Sequence, residues 1–374
     1  MTLTACRYEY NYYVPTPEQG DNSENNESGG SDNSGNSGGS DNSGNSGGSD
    51  NSGNSGNSGN SGGSNNSGEN SGTSHTGTNN VILYHSTAKV APTSTDIFGA
   101  TYISNEWDPN TGDGIITFAS DVTYIGEYAF SQCSSLETMS IPNTVTIIGE
   151  CAFYECMNLE SINIPYGVTE IGACAFCDCS LESIDIPNSV AEIGDYAFIR
   201  NDFTTLEIPN SITEIASGTF YSCEYLTSVT IPNSVITIGE HAFNYCDRLH
   251  DLTIGNGVIT IEDYAFNECS ALESLTLPES LTTIGGDAFK YCNKIPSITI
   301  PKNVTSIGFS AFSVGSSNCR QTTFCMGSTP PTIKSNTFYG GSYPIYVPKE
   351  AVETYKNAPT WSSLTSRIKA AIDY

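Results

Sequence analysis

The apolar residues between positions 121 and 312 recur with a period of 22 or 23 residues. Most periods carry an Ile-Gly pair, an Ala-Phe pair, a Cys three residues after the Phe, and an aliphatic residue followed by Pro. Self-similarity at a fixed period of this length predicts a repeat architecture. The phenylalanines that mark the period are Phe130, Phe153, Phe176, Phe198, Phe220, Phe243, Phe266, Phe289 and Phe312.

Within one unit, the apolar spacing predicts a short strand followed by tight turns. Leu136, Met139 and Ile141 follow an L-x-x-L-x-L spacing that ends in alternation, which is typical of a strand with one buried face. Pro142 ends this strand because proline has no backbone donor. Gly149 permits a bend, and the Ala-Phe segment has the length of one compact helical or 3-10 turn. A unit of this size cannot bury its apolar side alone, so we expect stacked units that share one core.

The repeated line CxxLxxIxIPxSVxxIGxxAFxx closely resembles the BspA-type leucine-rich repeat, a bacterial variant in which Cys and the Ala-Phe pair replace the commoner Asn ladder. The resemblance covers residues 115–312. It implies an α/β solenoid, a leucine-rich repeat superhelix with one parallel β-sheet on the concave face and short helical or 3-10 turns opposite. The unit around Asn201 departs from the pattern, because it lacks Cys and is one residue short. Further departures are Ala216, Thr219 and Glu262.

Both ends of such an array need caps, since an open solenoid would expose its core to water. We expect an N-terminal cap over residues 81–120, the repeat array over residues 121–312, and a degenerate repeat with a C-terminal cap over residues 313–374. Thr337 and Phe338 take the Ala-Phe place in that degenerate repeat. The apolar pattern of the tail predicts an amphipathic helical closure that is broken near Pro359.

Upstream of the caps the composition changes completely. Residues 21–80 consist almost entirely of Ser, Gly, Asn and a few acidic residues, a composition that predicts a disordered linker. Residues 1–20 are predicted to be an anchor segment, because Leu3-Thr4-Ala5-Cys6 resembles a bacterial lipobox in which Cys6 is lipidated. No charged or apolar leader precedes this motif here, so either the sequence is truncated at its start and a signal peptide is encoded upstream of Met1, or the match is accidental.

The formal net charge of −28 is distributed unevenly. Residues 81–289 contain 29 acidic and three basic residues, a net charge of −26. Residues 290–374 contain nine basic and three acidic residues, a net charge of +6. An acidic body of this kind argues against a nucleic-acid partner and favours a basic one.

The outward strand positions of neighbouring units should form rows of side chains, because equal positions of parallel strands lie about 4.8 Å apart. Glu137, Glu160 and Glu182 share one repeat position, and Asp185 and Glu207 share another. The alternative interpretation is a solvated sheet surface without a partner. We expect a ligand-binding surface on the concave face formed by Glu137, Glu160, Glu182, Asp185, Glu207, His250, Asp251 and Glu273.

The 13 cysteines mostly follow the repeat rather than a metal-binding pattern. Those at the repeat position are predicted to be small buried residues in a ladder. Cys151 and Cys174 occupy one position in adjacent units and are a candidate disulfide pair, as are Cys319 and Cys325. The repeat-position cysteines are Cys133, Cys156, Cys179, Cys223, Cys246, Cys269 and Cys292.

No catalytic motif is present, and the chain has only four histidines. The resemblance implies an adhesin-like protein that binds host matrix, cell-surface or other protein partners without catalysis, and we expect a monomer. The lipobox-like motif adds the expectation of lipid anchoring at the cell surface or outer membrane, on the condition that an upstream signal peptide is missing from this sequence. We expect no cofactor, no metal and no nucleic-acid partner, and membrane contact only through the lipid anchor. The alternatives are a surface glycan- or cation-binding accessory lipoprotein and a purely structural spacer.

Overall fold

The computed structural model describes residues 78–315, 321–340 and 343–371. Cys6, Cys319 and nearly all of the predicted linker lie outside these ranges. The described chain is a parallel-strand β-solenoid of about ten turns with very little helix, so the predicted fold class is confirmed.

An antiparallel sheet covers the N-terminal end of the solenoid. Its three strands are β1 (Val81–Ser86), β2 (Tyr102–Trp107) and β3 (Asp113–Phe118). Strand β1 pairs antiparallel with β3 and, on its other side, with the first strand of the array, so the sheet is continuous with the first coils. Ile82 and Phe118 are fully buried and extend the core into this cap.

One side of the solenoid, which we call the strand face, is formed by one short strand from most coils. Equal repeat positions pair in parallel along it, for example Val229 with Leu252. No strand is assigned around Ile184 and Leu275, so the ladder is interrupted twice rather than forming the one predicted sheet. The first interruption lies in a coil that is one residue short. The strands are β5 (Leu136–Ser140), β7 (Ser161–Asn163), β10 (Thr205–Glu207), β12 (Ser228–Ile231), β14 (Asp251–Ile254), β17 (Ser297–Ile300), β19 (Thr322–Cys325), β21 (Ile345–Val347) and β22 (Ile368–Ala370).

A second parallel ladder, which the sequence pattern did not predict, contains the Ile-Gly positions. Each of its strands has two residues, and the second residue is an isoleucine that is buried in the core. The strands are β4 (Tyr124–Ile125), β6 (Ile147–Ile148), β8 (Glu170–Ile171), β9 (Glu192–Ile193), β11 (Glu214–Ile215), β13 (Thr237–Ile238), β15 (Thr260–Ile261), β16 (Thr283–Ile284), β18 (Ser306–Ile307) and β20 (Thr332–Ile333). The ladder runs in two segments, β4 to β9 and β11 to β20, with no pairing between β9 and β11, and within each segment it ties every coil to the next a second time.

The Ala-Phe segments form a third set of contacts between coils. They are hydrogen-bonded turns rather than regular helical turns, because 17 non-glycine residues at two repeat positions, two before and two after the Phe, have positive φ. Tyr128, with φ +56°, donates its N–H to the carbonyl of Glu150 in the next coil at 2.9 Å. Such backbone costs roughly 1–2 kcal/mol per residue, and the bonds between coils offset this cost.

The core is a continuous stack along the solenoid. Successive marker phenylalanines pack with ring centroids 5.2–5.8 Å apart, and the stack runs from Phe130 to Phe338. The repeat-position cysteines lie beside it and do more than fill space. From Cys156 to Cys292, each thiol donates to the carbonyl of the marker Phe in the preceding coil, as Cys156 does to Phe130 at 3.1 Å and Cys292 to Phe266 at 3.3 Å.

Asn201 takes the cysteine position in its coil and is almost completely buried. Its Nδ2 donates to the carbonyl of Phe176 at 2.8 Å, the bond that a thiol makes in other coils. Its Oδ1 also accepts the N–H of Leu181 at 3.1 Å. In a full-length coil the corresponding leucine N–H donates to the carbonyl of the cysteine three residues earlier, as Leu159 does to Cys156 at 2.9 Å.

The C-terminal cap contains one short helix and an unexpected strand. Helix α1 (Val352–Asn357) lies between 3-10 turns at Lys349–Ala351 and Pro359–Leu364, and the chain then forms β22, which pairs in parallel with β21. The predicted helical closure therefore accounts for only part of the tail. Trp361 is fully buried, and its Nε1 donates to the carbonyl of Pro331 at 2.8 Å, which fixes the cap to the last coil.

Candidate functional site on the strand face

The strands present their side chains alternately to the core and to solvent. Parallel pairing then aligns the outward positions, as Thr138 with Ser161 and Ser228 with Asp251. Each outward position therefore becomes a row of side chains along the solenoid axis, with a spacing of about 4.8 Å. A row of this kind is fixed by the backbone and not by its own side-chain contacts.

Glu160 and Glu182 are the accessible members of the predicted acidic row. The N–H of Glu160 donates to the carbonyl of Glu137 at 3.1 Å, and that of Glu182 to the carbonyl of Glu160 at 3.4 Å. The three residues therefore lie side by side on consecutive coils. Glu160 and Glu182 are both exposed. Two carboxylates held next to each other in this way repel one another and concentrate negative potential.

Glu137 differs from its two neighbours because it contacts the N-terminal cap. Its Oε2 lies 3.6 Å from Nε2 of His85 on β1, and Nδ1 of the same ring lies 3.0 Å from Oδ1 of Asp113 on β3. The side chain of Glu137 is only 33% exposed, which leaves it less accessible to a partner.

The remaining predicted residues extend the same surface but are spread along it. Asp185 and Glu207 are both exposed at equivalent positions of adjacent coils. Nδ1 of His250 lies 3.1 Å from Oδ2 of Asp251. Oε1 of Glu273 lies 3.9 Å from Nζ of Lys294, so the negative charge is partly compensated at that end.

Three acidic residues that the sequence analysis missed lie at the edge of the strand face. Asp202, Glu224 and Asp247 each follow their marker Phe by four residues. Burial, and then repulsion by Glu182 and Glu224, raises the pKa of Asp202. Burial, and then repulsion by Glu224, raises the pKa of Asp247. Their common register position was visible in the sequence, but their proximity to Glu182 was not.

Towards the C-terminal end the strand face changes from acidic to hydroxyl-bearing and then aromatic. The outward position occupied by Glu207 becomes threonine in the next four coils, beginning with Thr230. Phe324 and Tyr346 continue this row, with ring centroids 5.3 Å apart. Lys369 pairs with Tyr346 and is the last residue of the row. Apart from Asp251 and Glu273, the acidic residues of the strand face named above therefore lie in its N-terminal half.

Neither metal binding nor a disulfide is evident in the described ranges. No group of three or more His, Cys, Asp or Glu side chains there is arranged to hold a metal ion. All eleven described cysteines are thiols, including Cys151 and Cys174, so the first candidate disulfide is absent from the structure. Burial raises the pKa of the ladder thiols well above the usual range, as at Cys246. A protonated, inaccessible thiol is a poor nucleophile and a poor metal ligand.

No helix among the described residues has the length and apolar character that crossing a bilayer requires.

Comparisons with known proteins agree with this geometry. A family model of the BspA type leucine rich repeat region matches residues 114–225 and 213–345 in six copies. No curated protein matches the sequence.

Several solved structures are similar. A leucine-rich repeat protein from Bacteroides ovatus is 30% identical over 66% of this chain and 61% of its own length, with a TM-score of 0.56. A leucine rich cell surface protein from Faecalibacterium prausnitzii is 32% identical over 54% of this chain and 62% of its own, with a TM-score of 0.37. The pneumococcal vaccine antigen PcpA is 21% identical over 68% of this chain and 71% of its own, with a TM-score of 0.41. The chain thus spans less than two thirds of the length of the first two.

Proposed function

Because the chain belongs to the BspA type leucine-rich repeat family, we propose that it is a non-enzymatic interaction protein displayed at a bacterial cell surface. Its binding surface is the acidic half of the strand face. The single observation that carries this proposal is the row of exposed carboxylates at Glu160 and Glu182, held side by side by backbone bonds within a strongly acidic array.

The physical basis is a rigid surface that concentrates charge of one sign. The backbone ladders fix the spacing of the carboxylates, so little backbone conformational entropy is lost when a partner binds. Negative potential from neighbouring coils adds to that of the row and steers a basic partner towards it. The partner we propose is therefore a protein or cell-surface ligand with a basic patch.

We infer that display depends on Cys6. The motif at Leu3–Cys6 and the polar linker that follows it, both outside the described residues, together match the organisation of an exported lipoprotein. When the gene is expressed with its own upstream sequence, the protein should partition into detergent, and Cys6→Ala should release it to the aqueous phase. Equal partitioning of the two proteins, or a gene that starts at Met1, would refute lipidation.

The binding proposal is tested by association kinetics of the full chain. The probes are a panel of purified extracellular matrix proteins and a short poly-lysine peptide. Glu160→Gln combined with Glu182→Gln should lower the association rate several-fold at low salt and reduce its dependence on salt, because the two substitutions remove charges that attract a basic partner over long range. Glu137 is left unchanged, since its substitution would also break the contact with His85.

A matched control is available on the second ladder. Glu170 and Glu192 pair across adjacent coils, so Glu170→Gln combined with Glu192→Gln removes the same charge from another side of the solenoid. We expect this control to bind nearly as fast as the parent. If the two double variants behave alike, the strand face is not the binding surface. Product formation from a glycan or peptide substrate would instead support an enzyme.

A further inference from the structure

A cavity of about 450 Å³ lies between the last Phe-marked turn and the C-terminal cap. Its walls come from residues 333–340 on one side and from the cap residues Thr360, Ser363, Leu364 and Arg367 on the other. Sites for small molecules in proteins typically have volumes of about 300–1,000 Å³. We call this cavity the cap pocket. It is separate from the acidic half of the strand face.

Arg367 is the central charged group of the cap pocket. Its Nε donates to the carbonyl of Tyr343 at 3.0 Å, and its Nη1 donates to the carbonyl of Phe338 at 3.0 Å. These bonds orient the guanidinium and use two of its five N–H groups. None of the ion pairs formed by the described residues involves Arg367. The guanidinium is therefore bound by two neutral carbonyls, and its other three N–H groups can donate to a ligand.

The charge environment favours an anion. Lys334 also lines the pocket, and no acidic residue does. Burial lowers the pKa of Arg367, as expected for a cation that is removed from water without a counter-ion. A carboxylate that binds the remaining N–H groups would supply this counter-ion, and guanidinium groups bind carboxylates in two-point geometry.

The rest of the lining matches a ring that carries hydroxyl groups. Ser335, Thr360 and Ser363 contribute hydroxyls, and Asn336 contributes an amide that both donates and accepts. Tyr339 is 64% exposed, and its ring offers a flat apolar surface beside these polar groups. The other apolar lining residues are buried or half-buried, so little surface is offered to the side chains of a peptide.

We propose that the cap pocket binds an acidic sugar. The carboxylate of the sugar pairs with Arg367, its hydroxyls bind the serine, threonine and asparagine side chains, and one face of its ring packs against Tyr339. Sugar recognition commonly combines a few directed polar groups with an aromatic surface, and both elements are present here.

The test is calorimetric titration of the full chain with D-glucuronate, with D-glucose as the uncharged counterpart and acetyl-alanine as a carboxylate without a sugar ring. Glucuronate should bind at least tenfold more tightly than either. Tyr339→Ala and Lys334→Gln, both at exposed positions, should each weaken glucuronate binding several-fold. Lys356→Gln is the matched control, because Lys356 lies in the same cap, outside the pocket, with its ammonium 3.1 Å from Glu353.

Arg367→Lys should weaken binding most, since lysine cannot form the two-point contact. In a Trp107→Phe background, where Trp361 is the one tryptophan left, fluorescence of the buried Trp361 shows whether the cap remains folded in that variant. The proposal is overturned if the parent does not bind glucuronate, or if glucose or acetyl-alanine binds equally well. It is also overturned if Tyr339→Ala and Lys334→Gln bind like the parent, or if the Lys356→Gln control loses binding to the same extent.

Discussion

Replacement of Asn201 by cysteine, the consensus residue of the repeat, should destabilise the protein. The reason lies in the preceding coil, which is one residue short between Cys179 and Leu181. In a full-length coil the leucine N–H donates to the carbonyl of the repeat cysteine. Leu181 follows Cys179 too closely for that bond, and Oδ1 of Asn201 accepts its N–H instead. Oδ1 of Asn201 thus replaces the cysteine carbonyl that accepts this N–H in a full-length coil.

The size of the effect follows from the bonds that are lost. Without Oδ1, the buried N–H of Leu181 has no acceptor in the structure, which costs about 1–3 kcal/mol. A thiol can still donate to the carbonyl of Phe176, as thiols do in other coils, but it is a weaker donor than the amide. This exchange adds about 0.5–1.5 kcal/mol. Asn201→Cys should therefore lower the free energy of unfolding by about 1.5–4.5 kcal/mol.

A second change isolates the proposed cause. Insertion of one Asn between Ser180 and Leu181 restores a full-length coil, in which Leu181 can donate to the carbonyl of Cys179. In that background Asn201→Cys should cost only the weaker donor, about 0.5–1.5 kcal/mol. The two changes are then coupled by about 1–3 kcal/mol, which a double-mutant cycle measures.

The assay is urea unfolding of all four full-length proteins, followed by circular dichroism, with amide hydrogen exchange at Leu181 as the local reporter. Exchange is the more direct readout, because a solenoid can unfold coil by coil. Equal cost of Asn201→Cys with and without the insertion would refute the reasoning. So would a stabilising effect of Asn201→Cys, which the consensus pattern alone predicts.

Three further predictions follow from other contacts. Gly308→Ala should lower the free energy of unfolding by about 1–3 kcal/mol, because an added Cβ would lie 2.2 Å from the backbone N of Gly286. Gly286→Ala is the control: its added Cβ would have its nearest contact at 3.4 Å, so it should be nearly neutral in the same thermal unfolding experiment. Asp202→Asn should raise the free energy of unfolding at neutral pH by a few tenths of a kcal/mol, since the raised pKa of Asp202 shows that the folded state disfavours the charged carboxylate. The gain should disappear below pH 3.8, where Asp202 is protonated in both the folded and the unfolded protein. A gain that persists below that pH would contradict this explanation. Cys246 should remain unmodified by iodoacetamide in the native protein at pH 8 and react after unfolding, as read by peptide mass spectrometry.

The period of the sequence was sufficient to predict the solenoid and its strand face. Met139 lies in β5 and Ile141 directly follows that strand, and their alternation with polar residues leaves a recognisable pattern. The second ladder was missed because each of its strands has only two residues, too few for alternation to be visible. The left-handed turns were missed because their positions carry residues as different as Tyr128, Cys151 and Asp178, none of which indicates positive φ by type.

The candidate site was predictable only where the repeat register decides position. Register alone aligns Glu160 with Glu182. The contact of Glu137 with His85 depends on how the antiparallel strand β1 pairs with β5, and nothing in the repeat specifies that pairing. The raised pKa of Asp202 arises from burial and from charges on two neighbouring coils, which become adjacent only in the folded solenoid.

The three sets of backbone bonds between coils have a mechanical consequence. All of them run along the solenoid axis, so a force applied to the two chain ends acts on the boundaries between coils in series, and the weakest boundary yields first. Under tension the protein should therefore yield one coil after another at similar, modest force. Each released coil would add up to about 75–80 Å of extended chain. In the surface display proposed above, such stepwise lengthening would dissipate a sudden pull by flow before the attachment itself fails.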